Sequence, residues 1–331
     1  MQGFSDHKFD DKNKDFLQWL NRQWNIEFEC VRRDINIQGS PERTLSRVVI
    51  QDKKGSLFLL EKFLKSKFKI RLDVARAIEY LNGNGLKEAL LYHKNKDGEF
   101  LPFFKGFCFQ LSPFLDSTGL NRPDYLLSSQ MGKNFAEFLI RLSNASVNID
   151  RKISFNPFSI KNYIYKLFND MKVHEPLVYK QYRPFLFFLE RQFMDVHDDL
   201  PVLFCHGDLH PLNVLWNHDQ IKAVIDWEFA GIKPDIYDAA NLVGCAGIEN
   251  PEGLGMPMVV TFLKEIQRKN IFSEMGWRFF PEYVLALRFA WLSEWLRKED
   301  SQMLEMEEAY MEILMDNMDI LRQEWKLPSS A

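Results

Sequence analysis

Cysteine is scarce in this chain: four copies in 331 residues, at positions 30, 108, 205 and 245, with no Cys-x-x-Cys pair. That scatter excludes a thiolate zinc framework or a disulfide scaffold and fits reduced, mostly buried thiols. A surplus of positive charge is also missing. The formal net charge is −4, so no nucleic acid partner is expected, since wrapping a phosphate backbone calls for a basic excess. No uncharged apolar run approaches the roughly 20 residues of a bilayer span; the densest patch, Phe185 to Leu189, is far shorter, and no membrane association is expected. The first 16 residues carry charges without a following apolar core, so they do not read as a secretory signal, and the expected compartment is the cytoplasm. What remains is the composition of a soluble globular chain, 46% hydrophobic and 27% charged, which excludes wholesale disorder.

Texture changes along the chain. Phe16, Leu17, Leu20 and Trp24 recur at helical spacing and predict a short opening helix over about 10–25. FECVRRDINI, RTLSRVVIQD and SLFLLEKF then read as three antiparallel strands, the last two joined by the turn Asp52-Lys53-Lys54-Gly55. A helix is expected from about Leu72 to Leu81, closed by Asn82-Gly83-Asn84-Gly85. Strand signals flank 94–98 and continue over 106–111, where Ser112-Pro113 breaks the pattern. Beyond that point helical spacing dominates (131–143, 160–171, 179–197 and 235–325), with Leu304 to Trp325 read as one long docking helix. The fold class expected is α+β: an N-lobe over 1–111 with a small antiparallel sheet, a hinge at 112–116, and a larger, mainly helical C-lobe over 117–331.

One strand-rich island interrupts the helices. Residues 203–231 read LFCHGDLHPLNVLWNHDQIKAVIDWEFAG. If His218-Asp219 forms a two-residue loop, Asn217 faces Gln220 and Asn213 falls opposite Val224, with Asp226 two residues further. The hairpin mouth then carries an amide oxygen and a carboxylate beside the His206–Asp208–His210 turn. Mg²⁺ takes few protein oxygens and completes its octahedron with water and phosphate. Asp208 stands five residues before Asn213, near that ion without being one of its ligands, and is left to accept a proton from a hydroxyl.

His-Gly-Asp-Leu-His-Pro-Leu-Asn at 206–213, followed after a hairpin by Ile225-Asp226-Trp227, resembles the catalytic loop and metal-binding aspartate of the aminoglycoside phosphotransferase/choline kinase family, a small-molecule branch of the protein-kinase-like fold. The resemblance covers roughly 25–300, with motif-grade identity confined to 203–240. It implies a bilobal kinase fold, ATP and Mg²⁺ as cofactors, and transfer of the γ-phosphate to a hydroxyl of a small molecule held between the lobes. Asp208 is then the catalytic base, Asn213 and Asp226 hold Mg²⁺, and His210 lines the transfer site. His206 is structural, bonding to backbone or to Asp238. Gly39, Ser40 and Arg43 fall where the nucleotide loop belongs, and Ser112 and Phe114 at the adenine-pairing hinge. Glu228 and Asp235 are close enough in sequence to contact the acceptor.

The fold also asks for a strand cation against the α- and β-phosphates, paired to a helix carboxylate. Lys62 is the cofactor-binding candidate, but neighbours on a strand face opposite ways, so either Lys62 or Glu61 points inward. Asp73 and Glu79 both qualify as the helix partner. If Glu61 faces inward, Arg43 or another basic side chain must neutralise phosphate. Lys62, Lys65, Lys67, Lys69 and Arg71 otherwise read as a solvated basic face. Two other functions compete with the kinase: a nucleotide-binding pseudokinase, motivated by the doubtful lysine, and a metal-dependent hydrolase built on His206-x-Asp208-x-His210. The acceptor has no readable motif. The Lys and Arg content of 151–200 favours a neutral or anionic metabolite such as a sugar over a polycationic antibiotic.

Overall fold

The structure, a computed structural model, describes residues 13–37, 44–155 and 157–328. Gly39, Ser40 and Arg43 lie outside the described residues. Eleven α-helices and nine strands are found among the described residues, and they group into two compact units.

The first unit runs through Gly119 and takes in Ala145–Ser154 and Leu212–Glu228. Helix α1 (Lys14–Trp24) starts where the Asn13 side chain accepts the Phe16 amide, an N-cap that satisfies an otherwise orphaned donor. It is followed by β1 (Phe28–Val31), β2 (Ser46–Asp52), β3 (Leu57–Leu64), α2 (Phe68–Gly83), β4 (Phe103–Phe104) and β5 (Phe107–Pro113). The strands form one antiparallel sheet in the order β1-β2-β3-β5-β4. Phe16 and Leu20 of α1 pack with Ile50, Leu60, Phe109 and Leu111 on one face of that sheet. Burying each such side chain stabilises by about 1.5–3 kcal/mol. The sheet alternates faces, so Glu61 shares its face with its cross-strand partners Arg47 and Gln110, and Lys62 takes the other face.

Two expectations shift here. β5 continues through Ser112-Pro113, pairing Pro113 with Phe58; proline at a strand end is tolerated because the ladder needs no further donor there. Helix α2 begins four residues before Leu72 and buries Arg71, Val74, Ala75 and Ile78 along one stripe.

The island of 203–231 is divided between the units. β7 (Val214–Asn217) and β8 (Gln220–Val224) form the predicted hairpin, with Asn217 opposite Gln220 around His218-Asp219. A bulge between Leu215 and Trp216 shifts the register by one. Val214 therefore faces Val224, and the Ile225 amide donates to the Asn213 carbonyl at 2.9 Å. The hairpin belongs to the first unit because it is stitched there. The Trp216 amide donates to Ser117 Oγ at 2.8 Å, the His218 amide to Thr118 Oγ1 at 2.8 Å, and the Val224 amide to the Glu88 carbonyl at 2.9 Å. The expected boundary, with everything after 116 in the helical part, misses these bonds, which join residues about a hundred positions apart.

The second unit comprises Leu120–Asn144, Phe155–Pro211 and the chain from Phe229 onward. After α3 (Ser129–Ala145), which ends at the junction with the first unit, it contains α4 (Ile160–His174), α5 (Pro176–Gln192) and β6 (Val202–Cys205). β9 (Gly231–Pro234) pairs with β6. Then come α6 (Tyr237–Glu249), α7 (Pro257–Lys269), α8 (Glu274–Arg278), α9 (Phe280–Lys298), α10 (Ser301–Asp316) and α11 (Met318–Glu324). α6 and α9 form its centre and are buried on most of their faces. Inside, Arg288 of α9 makes a forked pair with Glu307 of α10, at 2.5 and 2.6 Å, with both side chains shielded from solvent. The single long C-terminal helix expected from the sequence is instead α10 and α11, separated at Asn317.

All four cysteines are free thiols, two of them buried. Among the described residues no helix is long and apolar enough to cross a membrane.

Candidate active site

In the second unit, β6 ends at Cys205 and the chain turns sharply into the loop His206–Gly207–Asp208. Gly207 sits at φ +84°, and a Cβ there would run into the Phe229 carbonyl oxygen, so only glycine fits. The turn is clamped by Asp238, at the start of α6. Its two carboxylate oxygens accept the His206 amide at 2.6 Å and the Gly207 amide at 2.8 Å. Burial pushes the Asp238 carboxyl up to about 6, against the opposing pull of those amides and of Lys233. The His206 ring is fully buried, and its Nδ1 accepts the Asp208 amide at 3.2 Å. His206 and Asp238 therefore shape the loop, and Asp208 projects from it partly exposed. His210 Nε2 lies 3.8 Å from Asp208 Oδ1. The His210 ring stands edge-on to Trp291, which stacks on Trp295 at 5.6 Å.

In the first unit, a cavity of about 380 Å³ is lined from three sides. Arg47, Leu59 and Glu61 come from the sheet, Arg71 and Ile78 from α2, and Ser112 to Ser117 from the end of β5. Leu215, Val224, Ile225, Asp226 and Trp227 close it. Asp226 has φ +62°, a left-handed conformation costly for a residue with a Cβ and typical of functional positions. The turn holding it is fixed by the Trp227 indole, which donates to the Val224 carbonyl at 2.8 Å, and by Glu228. Asn213 is buried at the mouth of the same hairpin, one ladder step away. One carboxylate and one amide oxygen suit an ion such as Mg²⁺ that draws its other ligands from water and phosphate. Among the described residues no group of three His, Cys, Asp or Glu is arranged to hold a metal. The His206 ring, one member of the His206-x-Asp208-x-His210 set, is buried in its own loop.

Several expected site residues change role. Lys62 lies outside the cavity, its ammonium 4.0 Å above the Phe107 ring, because strand alternation gives the inward position to Glu61. Burial raises the Glu61 carboxyl, with Arg71 and Arg47 opposing that rise and Asp226 and Glu228 adding to it. Neither expected helix carboxylate faces the cavity: Asp73 pairs with Lys69 at 2.8 Å and Glu79 with Lys94 at 2.5 Å. The charged helix side chain that does line it is Arg71, buried against the Phe63 ring and bonded to Glu228 at 3.1 Å. Arg71 is thus no part of a solvated basic face. Glu228 is held by Arg71 and by Lys67 at 3.6 Å within the first unit. Asp235 Oδ2 accepts the Ser273 amide at 2.6 Å, just before α8. Of the hinge pair, Ser112 and Phe114 both line the cavity, but the Phe114 amide already donates to the Leu57 carbonyl at 3.0 Å.

Arg47, Arg71 and Tyr92 line the cavity, and the sequence does not mark them as site residues. A signal for Arg71 exists: with Val74, Ala75 and Ile78 it keeps the spacing of one helix face. Arg47 depends on register, which the sequence alone leaves open.

Comparison with known proteins gives a consistent result. Residues 47–265, more than half of the chain, match the model of the phosphotransferase enzyme family, APH. Amicoumacin kinase, solved in complex with AMP-PNP, Ca²⁺ and Ami, superposes with a TM-score of 0.68 at 13% identity, covering 92% of this chain and 94% of that one. An aminoglycoside phosphotransferase from Alicyclobacillus acidocaldarius gives 0.64 at 12%, covering 98% and 99%. Spectinomycin phosphotransferase, solved with ADP and spectinomycin, gives 0.61 at 16%, covering 94% and 98%. These identities speak for a shared fold, the protein-kinase-like one. A search of the curated proteins finds no match.

Proposed function

Because the chain belongs to the phosphotransferase enzyme family, we propose that it transfers the γ-phosphate of ATP to a hydroxyl of a small molecule, with Mg²⁺ as the counter-cation. The observation that carries this reading is the Asp238 clamp. It fixes the His206–Gly207 backbone through two amides and leaves Asp208 partly exposed beside His210.

Asp208 accepts the proton of the acceptor hydroxyl and orients its oxygen on the γ-phosphorus. The P–O bond to ADP breaks as the new ester bond forms. His210, with Nε2 at 3.8 Å from Asp208 Oδ1, orients that carboxylate or the acceptor oxygen. Asn213 and Asp226 are the residues to hold the metal, which when bound neutralises charge on the transferred group. Leu59, Leu215 and Ile225 offer the apolar walls an adenine ring needs. With the Phe114 amide committed to Leu57, the backbone from Leu115 onward is left to meet the base edge. For the acceptor, the half-exposed Trp291–Trp295 stack next to His210 favours a molecule with a flat apolar face, such as a sugar ring.

The test is incubation with radiolabelled ATP and Mg²⁺ against a panel of hexoses, amino sugars, amino alcohols and aminoglycosides. Label appearing on one acceptor class, and abolished in Asp208→Asn, supports the reading. Nucleotide binding with no transfer to any acceptor would instead identify a pseudokinase.

A further inference from the structure

The cavity in the first unit carries its charges in reverse. The inward strand side chain is Glu61 where a phosphate-binding lysine was expected, and the charged helix side chain lining the cavity is Arg71 where a carboxylate was expected. A triphosphate entering this cavity still needs a fixed cation, since Asp116 and Asp226 line it as well as Glu61. Among the described lining residues the cations are Arg47 and Arg71. Arg71 is 5% exposed, stacked at 4.2 Å on Phe63 and bonded to Glu228 at 3.1 Å, so it braces the turn after Asp226. Arg47 is only half-buried, stands near the start of β2, and lies directly across the ladder from Glu61. Directly opposite residues on one face of an antiparallel pair have Cβ atoms about 5 Å apart, so Glu61 can steer the guanidinium. On the far side of Glu61 in the same row lies Gln110, 1% exposed, whose amide nitrogen and oxygen have no hydrogen-bond partner among the described residues. A buried amide without partners is costly and marks a place where a polar partner is expected.

We infer that Arg47, set by its cross-strand neighbour Glu61, is the side chain that binds the nucleotide phosphates here, replacing the strand lysine. The inference rests on the nucleotide-binding reading above. Its chemistry is that of a planar guanidinium, which can donate two parallel bonds to adjacent phosphate oxygens where a lysine offers a point charge.

Calorimetric titration of the full chain with Mg²⁺-AMP-PNP and, separately, with adenosine tests it without needing an acceptor. Arg47→Gln should weaken AMP-PNP binding about ten- to a hundredfold, the loss of one or two charge-assisted bonds. Adenosine affinity should stay within twofold, and Arg47→Lys, which keeps the charge without the fork, should recover only part of the loss. Circular dichroism and the melting temperature confirm folding of each variant. AMP-PNP affinity unchanged in Arg47→Gln, or equal losses for AMP-PNP and adenosine, would overturn the inference while leaving the kinase reading standing. If the wild-type chain binds neither ligand, both fall together.

Discussion

Arg71 of α2 donates to Glu228 across 157 positions of sequence, at 3.1 Å, and so ties the helix to the turn that carries Asp226. Both side chains are nearly excluded from solvent, at 6% and 9% exposure. Removing one partner of such a pair strands the other charge, at a cost of about 3 kcal/mol. Glu228→Gln and Arg71→Met should each lower the unfolding free energy by that order in denaturant titrations. The double variant Arg71→Met/Glu228→Leu should recover part of the loss. Additive losses would show that the two groups do not depend on each other.

Glu61 places a carboxylate in the cavity proposed to take the nucleotide. Removing that charge while keeping the shape, as Glu61→Gln, should weaken Mg²⁺-AMP-PNP binding about threefold or more, because Arg47 loses the charged cross-strand neighbour that sets it. Calorimetry reads this directly, and tighter binding would mean that Glu61 only repels the phosphates.

Gly207 should tolerate no side chain. Its φ of +84° and the Phe229 carbonyl oxygen, pressed against the place a Cβ would occupy, leave a methyl nowhere to go without moving backbone. Gly207→Ala should therefore lose activity and several degrees of melting temperature, whereas Gly83→Ala, with open space around it, should change the melting temperature little.

Asp238 gives the fold a pH dependence of known sign. Its carboxyl is pushed up to about 6 when folded, above the ordinary aspartate value, so the folded chain binds that proton more tightly than the unfolded one. Its contribution to stability is thus greatest at low pH, declines as pH rises through about 4 to 6, and is level above. A two-unit displacement corresponds to roughly 3 kcal/mol. Chemical unfolding from pH 4 to 7 should show this slope in the wild type and lose it in Asp238→Asn. An unchanged slope in the variant would assign it to other groups.

How much of this the sequence disclosed follows from the range of the forces involved. The His206–Asp208 turn and the hairpin were legible because they are local: a glycine turn, a two-residue loop and alternating apolar strands within 30 residues. Asp238 was legible as a partner of the His206 turn. The choice between Lys62 and Glu61 was not, since it depends on which face of β3 packs with Phe107 and which faces α2. The one-residue bulge at Leu215/Trp216 was invisible for the same reason, being set by bonds to Ser117 and Thr118 far upstream. Glu228 and Asp235 looked available because their partners, Arg71 and Ser273, are distant in sequence. The proposed acceptor face of Trp291, Trp295 and His210 is encoded by no linear motif.

The most direct measurement of the central claim is single-turnover transfer of labelled phosphate from Mg²⁺-ATP to an acceptor found in the panel, in wild type and in Asp208→Asn. Loss of a general base costs about a hundred- to ten-thousandfold in rate, and nucleotide affinity measured alongside should stay within twofold. Transfer at the wild-type rate in Asp208→Asn would contradict the account.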